Sequence, residues 1–211
     1  MANELTLLDH PLVRHHLGVV RDRRTPPAVF RQTVYSLTTL LAYEATQDLR
    51  TAPCDIVTPI APARVERLAG RIAVVPILRA GLGMTPAIMD LLPEAEIWHL
   101  GFYRDDATLQ PVEYYKKLPP GNPADVGLII DPMLATGGSC LAAIAALRHW
   151  GVPRLKLCAL LAAPEGIARV QVAAPDTQIY VCAVDERLNE NAYIVPGLGD
   201  AGDRLSNAVA H

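Results

Sequence analysis

GLIIDPMLATGGSCLAAI runs from Gly127 to Ile144. The first part is apolar on both faces of an extended chain, which is how a strand buried on two sides reads. It closes on Asp131. The next letters, Ala135, Thr136, Gly137, Gly138 and Ser139, are small and polar. Then Cys140, Ala143, Ile144 and Leu147 recur at i, i+3, i+4 and i+7. That spacing predicts a helix starting near Ser139 and stopping at Gly151, ahead of Pro153. Strand, tight loop, helix is therefore the local reading.

In an open α/β sheet, ligands bind beyond the carboxyl ends of the strands, where loops lead into helices. Small residues let the backbone wrap an anion, and Gly137 and Gly138 are free to take positive φ. The first N–H groups of the helix lack intrahelical acceptors and sit at the positive end of its dipole, a combination that suits phosphate. The hydroxyls of Thr136 and Ser139 add donors. A plain strand-turn-helix connection accounts for the same letters, so the residues alone leave both readings open. Neither the GxxxxGK[ST] loop nor the GxGxxG fingerprint is present.

Outward from this stretch, RIAVVPIL, AEIWHLGFY, RLKLCALLAA and TQIYVCAVD are further short apolar runs, with DIVTPI before them. Helical segments GMTPAIMDLL, SCLAAIAALRHW and PEGIARVQV lie between them. The alternation predicts an α/β fold with a mainly parallel central sheet flanked by helices. Residues 1–52 read as an N-terminal helical segment, because Phe30, Val34, Leu37 and Leu41 share one helix face. Residues 102–118 depart from the scheme: two β-like arms enclose the polar turn Asp105 to Pro111, which predicts a projecting β-hairpin. Residues 186–211, rich in Gly, Asn and Asp, read as structured loop. One domain over 1–211 is expected at this length, which would bury roughly 70% of the unfolded surface.

Composition narrows the function classes. With 51% hydrophobic residues and 19% charged ones, the chain has the makeup of a packed domain rather than a disordered one. The net charge of -3 argues against a general electrostatic grip on nucleic acid or anionic membrane. Any anionic ligand must be held locally. Cys54, Cys140, Cys158 and Cys182 form no CxxC or CxxH spacing. The N-terminal residues lack a secretory pattern, and no apolar run approaches the ~20 residues of a spanning helix. A cytoplasmic protein with reduced thiols, no nucleic-acid partner and no membrane partner is the expectation. The six histidines do not cluster with Asp and Ser into a triad or metal pattern. Glu94, Glu96, Asp176, Glu186 and Glu190 read as solvated charges.

Two other stretches bear on an anionic ligand. PILRAGLGM, Pro76 to Met84, sets Arg79 at a strand end before small residues, and a guanidinium can bind phosphate oxygens bidentately. A surface arginine beside a turn is the alternative. Arg104 begins the hairpin and Lys116 and Lys117 end it; a moving arm carrying Arg104 would close over a substrate, while a solvated hairpin or dimer contact is the better account of the lysines. In the tail, AYIVPGLGDAGDR carries Gly197, Gly199, Gly202, Asp200 and Asp203, more than one turn requires. Close approach of backbone to a ligand is one explanation, and a Gly-rich surface loop is the other.

An apolar strand, Asp, then ATGGS opening a helix resembles the 5-phosphoribosyl 1-diphosphate (PRPP) motif of the type I phosphoribosyltransferases. Most of that superfamily carry two adjacent acids there, whereas this chain has Asp131 followed by Pro132. In that departure DPMLATGGS is similar to the uracil phosphoribosyltransferases, and the likeness extends from VVPILRAGLGM through YIVPGLGDAGDR. The resemblance implies a type I phosphoribosyltransferase fold with a C-terminal hood loop for the base, and conversion of uracil and PRPP to UMP and diphosphate. It implies PRPP binding at Arg79, Arg104, Asp131, Pro132, Met133, Leu134, Ala135, Thr136, Gly137, Gly138, Ser139 and Asp200. Uracil binding is implied at Ile194, Gly199, Asp200 and Ala201, with Asp131, Arg104 and Asp200 as catalytic residues. Mg2+ is expected to come in mainly on PRPP rather than in a protein cage. A homodimer or higher homo-oligomer is also implied, as is GTP as an effector, which acts in some relatives.

Overall fold

A computed structural model describes residues 5–104, 111–116, 118, 121 and 123–208, with the backbone alone at 103, 104, 111 and 116. In chain order the elements are β1 (Leu5–Leu7), α1 (Pro11–Arg21), α2 (Pro27–Ala45), β2 (Thr51–Val57), β3 (Pro62–Leu68) and β4 (Ile72–Leu78). A 3-10 turn, Ala80–Gly83, leads into α3 (Thr85–Leu91), β5 (Glu96–Ile97), β6 (Leu100–Arg104), β7 (Pro111–Lys116), β8 (Val126–Ile130) and β9 (Met133–Leu134). Then follow α4 (Gly138–Trp150), β10 (Arg154–Ala162), α5 (Pro164–Ala173), β11 (Gln178–Val184), β12 (Arg187–Leu188), β13 (Ile194–Val195) and α6 (Ala201–Ser206).

The central sheet runs β1-β11-β10-β8-β4-β6-β7, with β5 beside β4 and β9 beside β10. Its pairings are parallel except for β6 with β7. The expected α/β class with a mainly parallel sheet is therefore what forms. Strand alternation explains why the runs read as apolar throughout. On β8, Leu128 and Ile130 face a layer built with α1 and α2, while Ile129 faces α4. On β10, Cys158 and Leu160 take the first side and Leu157 and Ala159 the second. Both faces are covered by helices, so neither needs polar residues.

Phe30, Val34, Leu37 and Leu41 of α2 are all fully buried, as their spacing predicts. The helix α4 starts at Gly138 and stops at Gly151, whose φ of 103° ends it. Differences arise where strands are exposed or short. DIVTPI is not part of the central sheet: among the described residues β2 and β3 pair only with each other, antiparallel, as a separate exposed ribbon. Ile60 at its tip is 96% exposed. The N-terminal segment is not helical alone, since Leu5–Leu7 adds an edge strand to β11. The arms of the expected hairpin pair as β6 and β7, with a register shift between Gly101 and Phe102. Asp105, Asp106 and Lys117 lie outside the described residues. The tail holds more regular structure than a loop: β12 pairs with β13, and α6 follows with Asp200 as its cap. Among the described residues, no helix is long and apolar enough to cross a membrane.

Candidate functional site

Because β4, β8, β10 and β11 are parallel, their carboxyl ends open on one edge of the sheet, and Arg79, Asp131, Ala163 and Asp185 follow these ends directly. Asp131 is held there by its own amide, which donates to the Cys158 carbonyl at 3.2 Å. The chain does not loop away at once. The Pro132 carbonyl accepts from Leu160 and Leu161 at 3.1 and 3.0 Å, and β9 then pairs with Leu161 and Ala162. This lateral stitching fixes the loop before it turns. Leu134 is consequently a core residue, fully buried, with its carbonyl accepting from Ala163 at 2.9 Å.

The turn itself is made by Gly137, at φ 75°. A side chain there would be strained in this left-handed region. Gly138 takes no positive φ; it is the first residue of α4. The first 4-residue bond of that helix runs from Leu141 N–H to the Gly137 carbonyl at 2.9 Å. The amides of Gly138, Ser139 and Cys140 thus precede the intrahelical ladder and point out of the helix start, where an anion is favoured. Arg169, from α5, donates to the Thr136 carbonyl at 3.3 Å and brings a cation to the rim of this turn.

Beside the turn lies a cleft of about 370 Å³, lined by Ala80, Asp131, Met133, Ala135, Asn191, Ala192, Tyr193, Ile194, Gly199, Asp200, Ala201 and Gly202. It joins the end of β8 to the tail, residues some 65 positions apart in sequence, and brings Asp131 together with Ile194, Gly199, Asp200 and Ala201. Gly199 has φ 80° and open space where a Cβ would stand. Asp200 caps α6, its carboxylate accepting from the Asp203 amide at 2.9 Å. Burial pushes the Asp131 carboxyl up to about 7, against the lowering effect of the Met133 amide. Burial, and then the nearby Asp131 charge, raise the Cys140 thiol as well. That keeps the thiol protonated and inert.

Other expected residues stand apart from the cleft. Thr136 to Ser139 do not line it but form the neighbouring helix start. Arg79 has a largely exposed side chain, with its guanidinium 3.9 Å from the Asp203 carboxylate. The side chain of Arg104 lies outside the described residues. The sequence reading did not name Asn191, Ala192 and Tyr193 for the cleft, because only the fold brings the segment before β13 against β8; Ala80 and Gly202, also in the cleft, lie in stretches already raised for close approach to a ligand. It also missed α6, although Asp200 followed three residues on by Asp203 is an N-cap pattern. Glu96 is not simply solvated: it pairs with Arg71 at 2.7 Å and accepts from the Trp98 indole at 3.1 Å.

The sequence profile described as Uracil phosphoribosyltransferase matches residues 7–208. A protein of that name from Roseiflexus castenholzii is 52% identical over 202 residues, covering 96% of this chain and 97% of its own. One from Thermus thermophilus is 52% identical over 202 residues, covering 95% and 97%. Among solved structures, a protein from Aquifex aeolicus superposes with TM-score 0.92 at 37% identity, covering 98% of this chain and 99% of its own. A hypoxanthine phosphoribosyltransferase from Staphylococcus aureus shares the fold at TM-score 0.53 and 15% identity, covering 75% and 76%. With the profile spanning nearly every residue and about half the positions identical to the Roseiflexus and Thermus proteins, the chain belongs to the uracil phosphoribosyltransferase family.

Proposed function

We propose that the chain joins uracil to PRPP, forming UMP and diphosphate. The observation that carries this reading is the cleft in which Asp131, at a strand end beside a helix N-terminus, faces the backbone of Gly199 to Ala201. A sugar phosphate fits the first wall and a flat base with alternating donors and acceptors fits the second. Reading a small base by hydrogen bonds discriminates strongly, since a wrong base leaves buried polar groups unpaired.

In the reaction, uracil N1 forms a bond to the anomeric carbon as the bond from that carbon to the diphosphate oxygen breaks. The electron pair leaves with diphosphate, and the N1 proton is lost. Positive charge builds on the ribose and negative charge on the leaving group, so catalysis rests on positioning and electrostatics rather than on a covalent intermediate. The amides from Gly138 to Cys140 and the hydroxyls of Thr136 and Ser139 hold the 5'-phosphate. Asp131 hydrogen-bonds the ribose hydroxyls. Arg79 and Arg104 balance the diphosphate, and Ile194, Gly199 and Ala201 present main-chain groups to uracil.

Among the described residues there is no group of three or more His, Cys, Asp or Glu able to hold a metal. The oxygen donors of the cleft, Asp131 and Asp200, fit a hard cation that arrives on PRPP. Bound there, Mg2+ would neutralise charge on the departing diphosphate. Self-association as a homodimer, activation by GTP and a cytoplasmic setting extend the same reading.

The test is incubation of the protein with labelled uracil, PRPP and Mg2+. UMP formation supports the reading, and its absence from folded protein that binds PRPP overturns it. Faster turnover of another base in a parallel panel would keep the reaction class and reject uracil as the substrate.

A further inference from the structure

Between β13 and the uracil-facing wall, one residue is gripped through both of its backbone polar groups. The Gly197 amide donates to the Asp185 carboxylate at 2.8 Å, and the Gly197 carbonyl accepts from the Arg21 guanidinium at 2.8 Å. Arg21 and Asp185 are themselves joined by two hydrogen bonds, at 2.8 and 2.5 Å. The Asp185 side chain is only 4% exposed. Its own amide is fixed to the end of β10 through the Ala162 carbonyl at 2.8 Å. Arg21 is the last residue of α1. Three distant elements thus converge on the two backbone polar groups of a single residue, two before Gly199.

A further arginine extends this hold. Arg204 donates to the Leu198 carbonyl at 2.8 Å and to the Asp22 carbonyl at 2.8 Å. The backbone is therefore tied at 197 and 198 to the end of α1, and the next residues, Gly199 to Ala201, face the cleft. Neither Arg21 nor Asp185 lines that cleft, so neither touches the base directly.

We infer that Arg21 and Asp185 are positioning residues for base recognition: by clamping the backbone N–H and C=O of Gly197 they set where the main-chain groups of Gly199 to Ala201 meet the pyrimidine edge. The inference rests on the uracil reading of the cleft. A carboxylate is needed because one group must accept from an amide and from a guanidinium together. Arginine is needed because its fork reaches the carboxylate and a carbonyl at once, which a lysine ammonium does less well. A loop loosened by a fraction of an ångström would lose base affinity before it lost PRPP affinity, because the 5'-phosphate turn belongs to β9 and α4 and, of the clamped segment, Asp200 is the one residue also assigned to PRPP.

The experiment measures KM for uracil and for PRPP separately in wild type, Asp185→Asn, Arg21→Lys and Arg21→Met, with melting temperature and amide exchange over residues 194–201. We expect KM for uracil to rise about tenfold or more in Asp185→Asn and Arg21→Met, KM for PRPP to stay within about threefold, and Arg21→Lys to recover part of the loss. Amide exchange at 197–201 should quicken in the same order. Equal rises for both substrates, or losses that follow melting temperature alone with no change in local exchange, overturn the clamp. Wild-type turnover without that split rejects this inference and leaves the activity standing, whereas no UMP from wild type rejects the activity and the clamp with it.

Discussion

Gly166, in the first turn of α5, passes so close to Ala135 that a Cβ at 166 would overlap the Ala135 carbonyl oxygen and lie 3.0 Å from that of Leu134. The turn at Gly137, which we propose holds the phosphate, is thus braced from behind by a helix that carries no side chain at the contact. Gly166→Ala must push that backbone, not the end of a flexible side chain. We expect a stability cost of about 1 to 3 kcal/mol and a rise of about tenfold or more in KM for PRPP. Steady-state kinetics with a urea titration would check it; an unchanged KM for PRPP would show that the turn tolerates displacement.

The Asp131 carboxyl, raised by burial from an ordinary 3.8 to about 7, predicts a distinctive pH dependence. A folded state that holds its proton more tightly than the unfolded chain loses stability as pH rises from about 4 to about 7, and no further above that. Asp131→Asn removes this loss. The full shift corresponds to about 4 kcal/mol, which solvent entering the cleft reduces. The melting temperature of the variant relative to wild type should therefore climb across that window, reaching an advantage of about 5 °C at pH 8. If Asp131 serves the ribose hydroxyls as a carboxylate, turnover of the variant should fall by orders of magnitude at pH 8, since the amide keeps one acceptor oxygen but not the charge. Calorimetry of both proteins from pH 4 to 8 would decide it.

Asp200 has two roles in one side chain. It caps α6 by accepting from Asp203 N–H, and it lines the cleft. Asp200→Ala should cost about 1 kcal/mol of stability as a lost cap and reduce kcat by about a hundredfold or more. Asp200→Asn keeps a capping oxygen, so it should recover the stability and not the rate. Rates near wild type in either variant would remove the tail from the proposed site.

Lys156 is fully buried in β10, with its ammonium on the Asp48 carboxylate and the Ala45 carbonyl at the end of α2. Removing the partner strands the charge, whereas removing the charge does not. Asp48→Ala should cost about 2 kcal/mol, below the fully buried range because Asp48 is 43% exposed. Lys156→Met should cost less than half as much. Equal losses in chemical denaturation would show that packing, rather than charge, dominates this contact.

How much of this was legible beforehand depended on the range of the interactions concerned. The strand ending at Asp131, the turn at Gly137 and the α4 helix are written in neighbouring residues, because periodicity and turn chemistry act over a few positions. Even there Gly138 went to the helix and not to the turn, and Pro132 and Leu134 proved stitched to β10 by pairings that no local pattern announces. The ribbon of β2 and β3 escaped because an exposed strand pair and a sheet strand share the same short apolar letters.

From its letters alone the chain determined an α/β fold class and the strand-turn-helix start at Asp131, since these follow from local spacing and composition, while the family was legible only through the resemblance carried by DPMLATGGS and the stretches on either side of it. Tertiary structure alone decided that Tyr193 and Asn191 border the same cleft as Asp131, and that Arg21 reaches Gly197 across 176 positions. Such contacts arise from how the parallel strands stack their ends on one edge, a consequence of sheet order that pairwise spacing along the chain does not encode.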